Sequence, residues 1–423
     1  MANKKSPWYW VPSLYFGQGI PYVIVATTFS AILYKQLGLS NADIAMYTGW
    51  LYLPWVIKPF WSPFVDLFKT KRWWILIMQF IMGAAFAGVA FSIPTTYFLQ
   101  STLAFFWLIA FSSATYDIAA DGFYMIALDS HQQSFFVGIR STFYRIATVT
   151  GQGLLVMLAG KLEKTLPSIA LAWSYTFYGI AILFTLIAVY HYFILPKPIA
   201  DQPNNEKNIL HGFFSTFAEF FKKKRIVFAL SFILLYRLAE SQLIAISPLF
   251  MLDDREVGGL GLSTESVGLI YGTIGVISLT LGGILGGIVA SRDGLKKWLW
   301  PMVLSLNVTN LIYVYFAYFQ PQNFWILSSG VAIEQLGYGF GFTAFMLYLI
   351  YISRGKLQTA HYAICTGFMA LGMMVPRMFA GYLQEFMGYQ HFYIWLCICT
   401  IPGFILIAFL KIDPTFGKKS AEA

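Results

Sequence analysis

The sequence predicts an all-α integral membrane protein of twelve transmembrane helices in two six-helix pseudo-symmetric bundles. Three observations carry the prediction. The chain has 423 residues, of which 58% are hydrophobic and only 11% charged, leaving too little polar surface to coat a soluble globule of that length. Apolar runs of about 20 residues, the length that crosses a bilayer as a helix, recur twelve times. Between those runs the Lys and Arg residues fall overwhelmingly in alternate connections, which lie on one side.

The first run, 8–34, starts at Trp8 and follows Lys4 and Lys5. It is too long for the apolar core of a secretory signal and is expected to remain as the first span. The others are 43–65, 73–93, 98–128, 135–160, 170–195, 226–252, 265–290, 298–319, 323–352, 358–386 and 390–411. In the first span Gln18 lies between Gly17 and Gly19 and is followed by Pro21. A kink is expected there, with a polar group turned to a cavity, because neighbouring helices can satisfy the backbone groups that a proline frees.

Placing the N-terminus inside assigns Lys4, Lys5, Lys69, Lys71, Arg72, Lys197, Lys207, Lys222, Lys223, Lys224, Arg225, Arg292, Lys296, Lys297, Arg354, Lys356, Lys411, Lys418 and Lys419 to the inner face. Only Lys35, Lys161, Lys164 and Arg255 fall outside. Roughly nineteen against four is a strong positive-inside bias, so both termini are expected in the cytoplasm. The net charge of +9 is thus a topology signal. No nucleic-acid partner is expected, since that would need a basic patch on a folded polar face.

Composition turns polar between the sixth and seventh runs, with Pro196, Pro198 and Pro203 and a polar stretch from Asp201 to Asn208. The expected organisation is an N-terminal bundle over 1–195, a cytoplasmic linker over 196–225 and a C-terminal bundle with a short tail over 226–423. Ile209, Leu210, Phe213, Phe214, Phe217, Phe220 and Phe221 recur at helical spacing ahead of Lys222. Either a helix lying on the inner membrane surface or the start of the seventh span produces that pattern.

The halves repeat. Ser62-Pro63-Phe64-Val65-Asp66 with Lys69, Lys71 and Arg72 follows the second run, and Gly287-Ile288-Val289-Ala290-Ser291-Arg292 with Gly294, Lys296 and Lys297 follows the eighth. Both segments resemble the loop signature of the major facilitator superfamily. The first keeps the acid, and the second has Ser291 at that position. The resemblance implies the major facilitator fold, with Asp66, Arg72, Arg292 and Lys296 as residues of gating loops and two halves rocking about a midplane site.

A narrower resemblance rests on Ala110 to Asp121, Tyr144-Arg145-Ile146-Ala147, Leu235 to Glu240 and the stretch from Glu334 to Tyr393. These look like the AmpG-type muropeptide permeases, a family of secondary transporters. The resemblance implies proton-coupled import of anhydro-muropeptides, which are cell-wall fragments, across the bacterial inner membrane. Relatives that carry siderophores or acyl-coenzyme A share the framework and keep those solutes as alternatives. The expected partners are a small anionic solute containing sugar or peptide, protons and the lipid bilayer, with the protein a monomer.

Nine ionisable residues interrupt the apolar runs: Lys58, Asp117, Asp121, Arg140, Arg145, Arg237, Glu240, Glu334 and Arg377. A charge at bilayer depth costs about 2.5 to 3.5 kcal/mol even on a lenient scale, so each must face a partner or a water-filled cavity. Asp117 and Asp121 are four apart and share one helix face, together with Ser113 and Tyr124. Two such carboxylates do not ionise together easily. They suit a proton relay, or a structural network paired with Arg140 or Arg145.

Arg237 and Glu240, three apart, can pair across one turn. A proton on Glu240 would free Arg237 to meet an anion, unless the pair is permanent. Glu334 has no basic residue within a turn, so it is protonated, bonded to a facing helix or exposed to a cavity. Arg145, about 15 Å from the cytoplasmic end, is the first candidate to fork onto an anionic group of the solute. Tyr144, Arg237, Gln18 and Arg377 complete the substrate-binding candidates, and Asp117, Asp121, Glu240 and Glu334 those for proton coupling. Arg140 and Lys58 are expected to reach the inner interface.

Tyr15, Tyr22, Tyr52, Trp55, Tyr271 and Tyr338 fall in or near the expected pore-lining helices. They would stack on sugar rings only where interleaved with these charges. Gly337-x-Gly339-x-Gly341 lies mid-span with no strand before it, so a phosphate loop is not expected. Gly282 to Gly287 holds small-xxx-small spacings that predict close helix packing. Cys365, Cys397 and Cys399 lack metal spacing and the five His are scattered. No metal, cofactor or catalytic residue is expected. A membrane-embedded transferase would want a sizeable loop domain, and a solute-sensing receptor an added cytoplasmic domain.

Overall fold

The computed structural model describes residues 6–202, 217–354 and 358–416. Helix follows helix, with no strand among the described residues, and each of the twelve apolar runs falls on helix. Eight described helices are long and apolar enough to cross a bilayer, and a ninth span is a bent pair, Pro7–Ala26 with Thr28–Gln36, at 43°. The second run is broken into Asn41–Trp50 and Leu53–Leu67, and the fifth passes from Ser130–Thr148 through a π-helical turn, Val149–Leu154, into Leu155–Thr165. The last two runs form one continuous stretch, His361–Phe409. At about 1.5 Å per residue it is twice the length a bilayer needs, and it turns at Gly388, where φ is 71°. Only glycine adopts that conformation without strain.

The bend of the first span is displaced from where the sequence put it. Helix Val11–Ala26 runs straight through Pro21 and breaks at Thr27, whose backbone leaves helical geometry. The Thr27 hydroxyl donates to the Val23 carbonyl, and Ser30 Oγ donates to the Val25 carbonyl at 3.2 Å. Side chains just beyond the break therefore satisfy the carbonyls it frees, which Pro21 has no means to do.

Two compact units divide the chain. The first combines Met1–Gly38 with Leu51–Leu210, and the second combines Leu39–Trp50 with His211–Ala423. In the first unit Phe29, Trp173, Phe177, Phe86 and Phe106 form a buried aromatic core, with Phe29 5.2 Å from Trp173 and Phe106 5.9 Å from Phe177. A polar network crosses beside it. His191, fully buried, lies 2.8 Å from Ser13 Oγ and 2.7 Å from Gln79 Nε2, and Tyr116 donates to the Leu14 carbonyl at 2.8 Å. Four helices are tied at a depth where an unmet polar group is costly.

In the second unit Phe232, Tyr236, Phe345 and Tyr348 centre the core, the Tyr236 and Phe345 rings stacking at 5.1 Å. Lipid is as apolar as leucine, so contact between spans is driven by close packing. Helices Val276–Asp293 and Phe324–Ser353 achieve it with glycine. A Cβ on Gly282 would overlap the Leu336 carbonyl, and one on Gly339 the Leu279 carbonyl. Gly282 and Gly286, four apart, thus pack closely as their spacing predicts, Gly287 meets nothing within 4 Å, and Gly339 serves packing as well.

Helix Asn41–Trp50 packs against Gln358–Cys399 inside this unit, where Asn41 Nδ2 lies 3.0 Å from Asp253 Oδ2, 2.7 Å from Gln384 Oε1 and 2.9 Å from Tyr389 Oη, with two N–H groups to share among them. Of the expected surface helix, residues 209–216 lie outside the described residues. Phe220 is buried in the second core and Phe217 packs on it. At the start of the linker the Asp201 carboxylate accepts from the backbone N–H of Lys71 at 2.7 Å and of Arg72 at 3.0 Å. An acid caps a helix N-terminus in this way.

Candidate functional site

Helix Phe98–Ala127 places Asp117 and Asp121 one turn apart, and the structure gives each its own cation. Asp117 Oδ2 accepts from Trp55 Nε1 at 3.1 Å and lies 3.6 Å from Lys58 Nζ. Trp55 and Lys58, three apart on helix Leu53–Leu67, share the face that meets the acid. Gln18, nearly buried, stands in interaction reach of the same carboxylate.

Asp121 Oδ1 accepts from Arg140 Nη2 at 3.0 Å and from the Tyr15 hydroxyl at 3.0 Å. The Arg140 guanidinium lies over the rings of Tyr15 and Tyr124, 4.4 and 5.2 Å from their centres. Such cation–π contacts strengthen as water is withdrawn. The helix that carries Arg140, Ser130–Thr148, starts at a capping box of Asp129 and Gln132.

Lys58 is expected at the inner interface, and Arg140 either there or paired with the acids of the fourth run; the structure turns both onto acids. An acid within reach outweighs what a long side chain gains by snorkelling, since leaving either charge unpaired at this depth is expensive. Asp121 nevertheless keeps 43% of its side chain exposed, and Arg140 and Lys58 31% each. Charges exposed mid-helix face water rather than lipid, which marks this as the polar face of the first unit. Tyr144 lies beside Tyr22, ring centres 6.5 Å apart. Arg145, half-buried, follows it in electrostatic reach of the Tyr144 hydroxyl.

In the second unit Arg237 stands at a break between helices Ile226–Leu235 and Leu238–Leu252. Its Nε and Nη2 donate to the two oxygens of Glu240 at 2.9 and 2.6 Å, and Nη2 also donates to the Tyr338 hydroxyl at 2.7 Å. The Phe342 ring lies 4.7 Å from the guanidinium. Both residues are almost wholly buried, so the predicted pairing forms in its strongest setting.

Glu334, 2% exposed, accepts from the neighbouring Gln335 amide at 3.0 Å and has no ion-pair partner among the described residues. Arg377 is fully buried, its Nη2 3.5 Å from Thr48 Oγ1. Tyr271 draws these residues together: its hydroxyl stands in electrostatic reach of Glu334, Glu240 and Arg377. It sits in the π-helical turn Gly268–Gly275, an irregularity frequent at functional sites.

The loop candidates are placed separately. Arg72 donates to the carbonyl of Tyr192 at 2.6 Å. Arg292 pairs with Asp293 at 3.1 Å, and Lys297 and Trp298 converge on the same carboxylate. Asp293, two residues beyond the Ser291 position where the loop signature has its acid, is thus the acid of the second loop. Lys296 is exposed, in reach of Asp413. Asp66 lies in the last turn of helix Leu53–Leu67, and its side chain is outside the described residues.

The Major Facilitator Superfamily profile matches residues 13–356. The chain is 26% identical over 412 residues to the putative transporter AmpG 4 of Rickettsia felis, covering 93% of this chain and 94% of that protein. It is 24% identical over 398 residues to the anhydromuropeptide permease of Escherichia coli K12, covering 93% and 77%. The crystal structure of the nucleoside transporter NupG superposes with a TM-score of 0.71 at 16% identity, covering 95% of this chain and 98% of that one, which speaks to the fold alone. With most of its length matched and its helices in place, the chain belongs to the Major Facilitator Superfamily and is a multi-pass membrane transporter of a small-molecule solute.

Proposed function

We propose that this transporter imports an anionic, sugar- and peptide-containing solute of the anhydro-muropeptide class together with protons, across a bacterial inner membrane, with both termini in the cytoplasm. The halves 1–195 and 226–423, joined by the linker 196–225, alternate access to the solute. The name of the Escherichia coli relative, matched over 93% of this chain, supports the solute class.

One observation carries the coupling: Glu334 is buried with, among the described residues, only a neutral amide on its carboxylate, in reach of Glu240, which is already bonded to Arg237. An ionised carboxylate in that setting pays a large desolvation cost with no cation to offset it, so Glu334 is where a proton is held. Transfer of that proton to Glu240 loosens the Arg237 pair and offers the guanidinium to an anion. Asp117 and Asp121 serve the first half in the same way, with Lys58 and Arg140 as the cations they release. Arg145 and Arg377 contribute further positive charge toward the solute.

Uptake into proteoliposomes tests this reading. A labelled anhydro-muropeptide should accumulate above its external concentration only when an inward proton gradient is imposed, and a protonophore should abolish the accumulation. Uptake of a ferric chelate or an acyl-coenzyme A in its place would move the solute class. Accumulation indifferent to the gradient would remove the coupling.

A further inference from the structure

We propose that a file of tyrosines in the second unit, Tyr389, Tyr393, Tyr313 and Tyr271, conducts protons from Asp253 at the outer face to Glu334; this rests on the coupling and the topology proposed above. Asp253 follows helix Leu238–Leu252 and is partly exposed. Its Oδ2 accepts from the Tyr389 hydroxyl. Tyr393 lies four residues on, its ring stacked with that of Tyr389 at 6.4 Å between centres, and it stacks in turn on Tyr313 at 5.3 Å. The Tyr313 and Tyr271 hydroxyls both stand in electrostatic reach of Glu334. At about 1.5 Å per residue, Tyr393 and Tyr313 lie roughly 6–9 Å in from the helix ends at Gly388 and Phe319, and Glu334 about 15 Å in from Phe324. The file therefore descends from the surface to the buried acid.

Packing alone does not account for the hydroxyls. Phe250 lies 4.9 Å from Tyr389 and 5.1 Å from Tyr393, and Phe316 lies 5.8 Å from Tyr313, so the same cluster uses phenylalanine where a ring suffices. Tyr313 and Tyr393 are almost wholly buried, and neither hydroxyl meets a partner at full hydrogen-bond geometry among the described residues. A hydroxyl left so at bilayer depth is costly, and a native protein keeps it for a reason. Ser247 stands in interaction reach of both. Its own proton goes to the Leu243 carbonyl at 2.8 Å, which leaves its oxygen to accept. A water held by Tyr313, Tyr393 and Ser247 has the about three partners that a buried water makes, and it closes the file. Each hydroxyl takes a proton on its oxygen as it releases its own to the next, so no tyrosine changes charge. The net transfer is one proton from Asp253 to the Glu334 carboxylate. Glu240 and Arg377 are the other charged groups in reach of Tyr271 at this inner end.

Exchange of the Glu334 proton for deuterium reads the route without any solute. In the purified full-length protein the infrared carbonyl band of protonated Glu334, identified by its loss in Glu334→Gln, shifts as deuterium enters. Tyr313→Phe and Tyr393→Phe keep their rings and should slow that shift about tenfold, roughly the worth of one hydrogen bond in the barrier. Phe250→Leu, which changes packing and no hydroxyl, should leave it at the wild-type rate. In proteoliposomes the two tyrosine variants should lose gradient-driven uptake of a labelled anhydro-muropeptide to a similar degree and keep counterflow. Wild-type exchange rates in both tyrosine variants, or a slowing in Phe250→Leu as large as theirs, overturn the file and leave the coupling at Glu334 standing. A spectrum from which Glu334→Gln removes no carbonyl band overturns that coupling and the file with it.

Discussion

Arg237 meets Glu240 through two parallel hydrogen bonds, Nε to Oε2 at 2.9 Å and Nη2 to Oε1 at 2.6 Å, while standing outside the helix whose first turn carries the acid. The break at Arg237 lets the guanidinium lie along the carboxylate instead of projecting away from it. The Phe342 ring and the Tyr338 hydroxyl then hold it from the other sides.

That geometry predicts an asymmetry in stability. Removing one partner of a buried pair costs on the order of 3–5 kcal/mol because the other charge is stranded, whereas replacing both with apolar residues of similar volume is close to neutral. Glu240→Ala should therefore lower the thermal midpoint in detergent sharply, and Arg237→Met combined with Glu240→Leu should restore most of it. A double variant as unstable as the single one would show that the stranded charge is not the cause.

Glu334 predicts the opposite pattern. Among the described residues its one hydrogen bond runs from the Gln335 amide, so Glu334→Gln strands no charge and should change stability by about 1 kcal/mol at most. Gradient-driven accumulation should vanish while solute exchange persists, because the variant keeps the volume and loses the exchangeable proton. Counterflow and driven uptake measured in the same proteoliposomes check this, and driven uptake at the normal rate would remove Glu334 from the coupling.

The contrast between these acids shows what the sequence could tell. The Arg237–Glu240 pair was legible because residues three apart stay within reach of each other, and the break at Arg237 keeps them so. The spans were legible for a similar reason, since a bilayer sets the length of every apolar run. The partner of Lys58 was not, and that of Arg140 only as one alternative beside Arg145. Their acids come from helix Phe98–Ala127, 59 residues after Lys58 in one case and 19 before Arg140 in the other, and only packing puts those faces opposite each other. Thr27 bends the first span without a sequence signal stronger than the nearby Pro21. His191 is buried in a network with Ser13 and Gln79, three residues that no local spacing connects.

Arg145 carries a prediction about charge. A hydrogen bond from a guanidinium to an anion contributes about 1.5–3 kcal/mol, so Arg145→Ala should weaken binding of an anionic solute about tenfold or more. A neutral analogue of the same shape should be affected much less. Competition binding with the carboxylate and amide forms of one solute separates the two, and equal losses would point to damaged folding.

Close packing gives the last prediction. A Cβ on Gly282 would overlap the Leu336 carbonyl and lie 3.0 Å from the Phe340 nitrogen, whereas one on Gly287, a turn or so along the same helix, would meet nothing within 4 Å. Both glycines forfeit helix propensity, roughly 0.8–1 kcal/mol relative to alanine. Gly282→Ala adds that gain to a clash with backbone that cannot move aside, and overpacking of this kind costs about 1–3 kcal/mol. It should lower the unfolding midpoint in detergent, while Gly287→Ala should leave it unchanged or raise it. The helix pair Val276–Asp293 and Phe324–Ser353 carries Glu334, so Gly282→Ala should also slow transport. If the two substitutions instead shift the midpoint equally, backbone propensity rather than close approach is what the glycines supply.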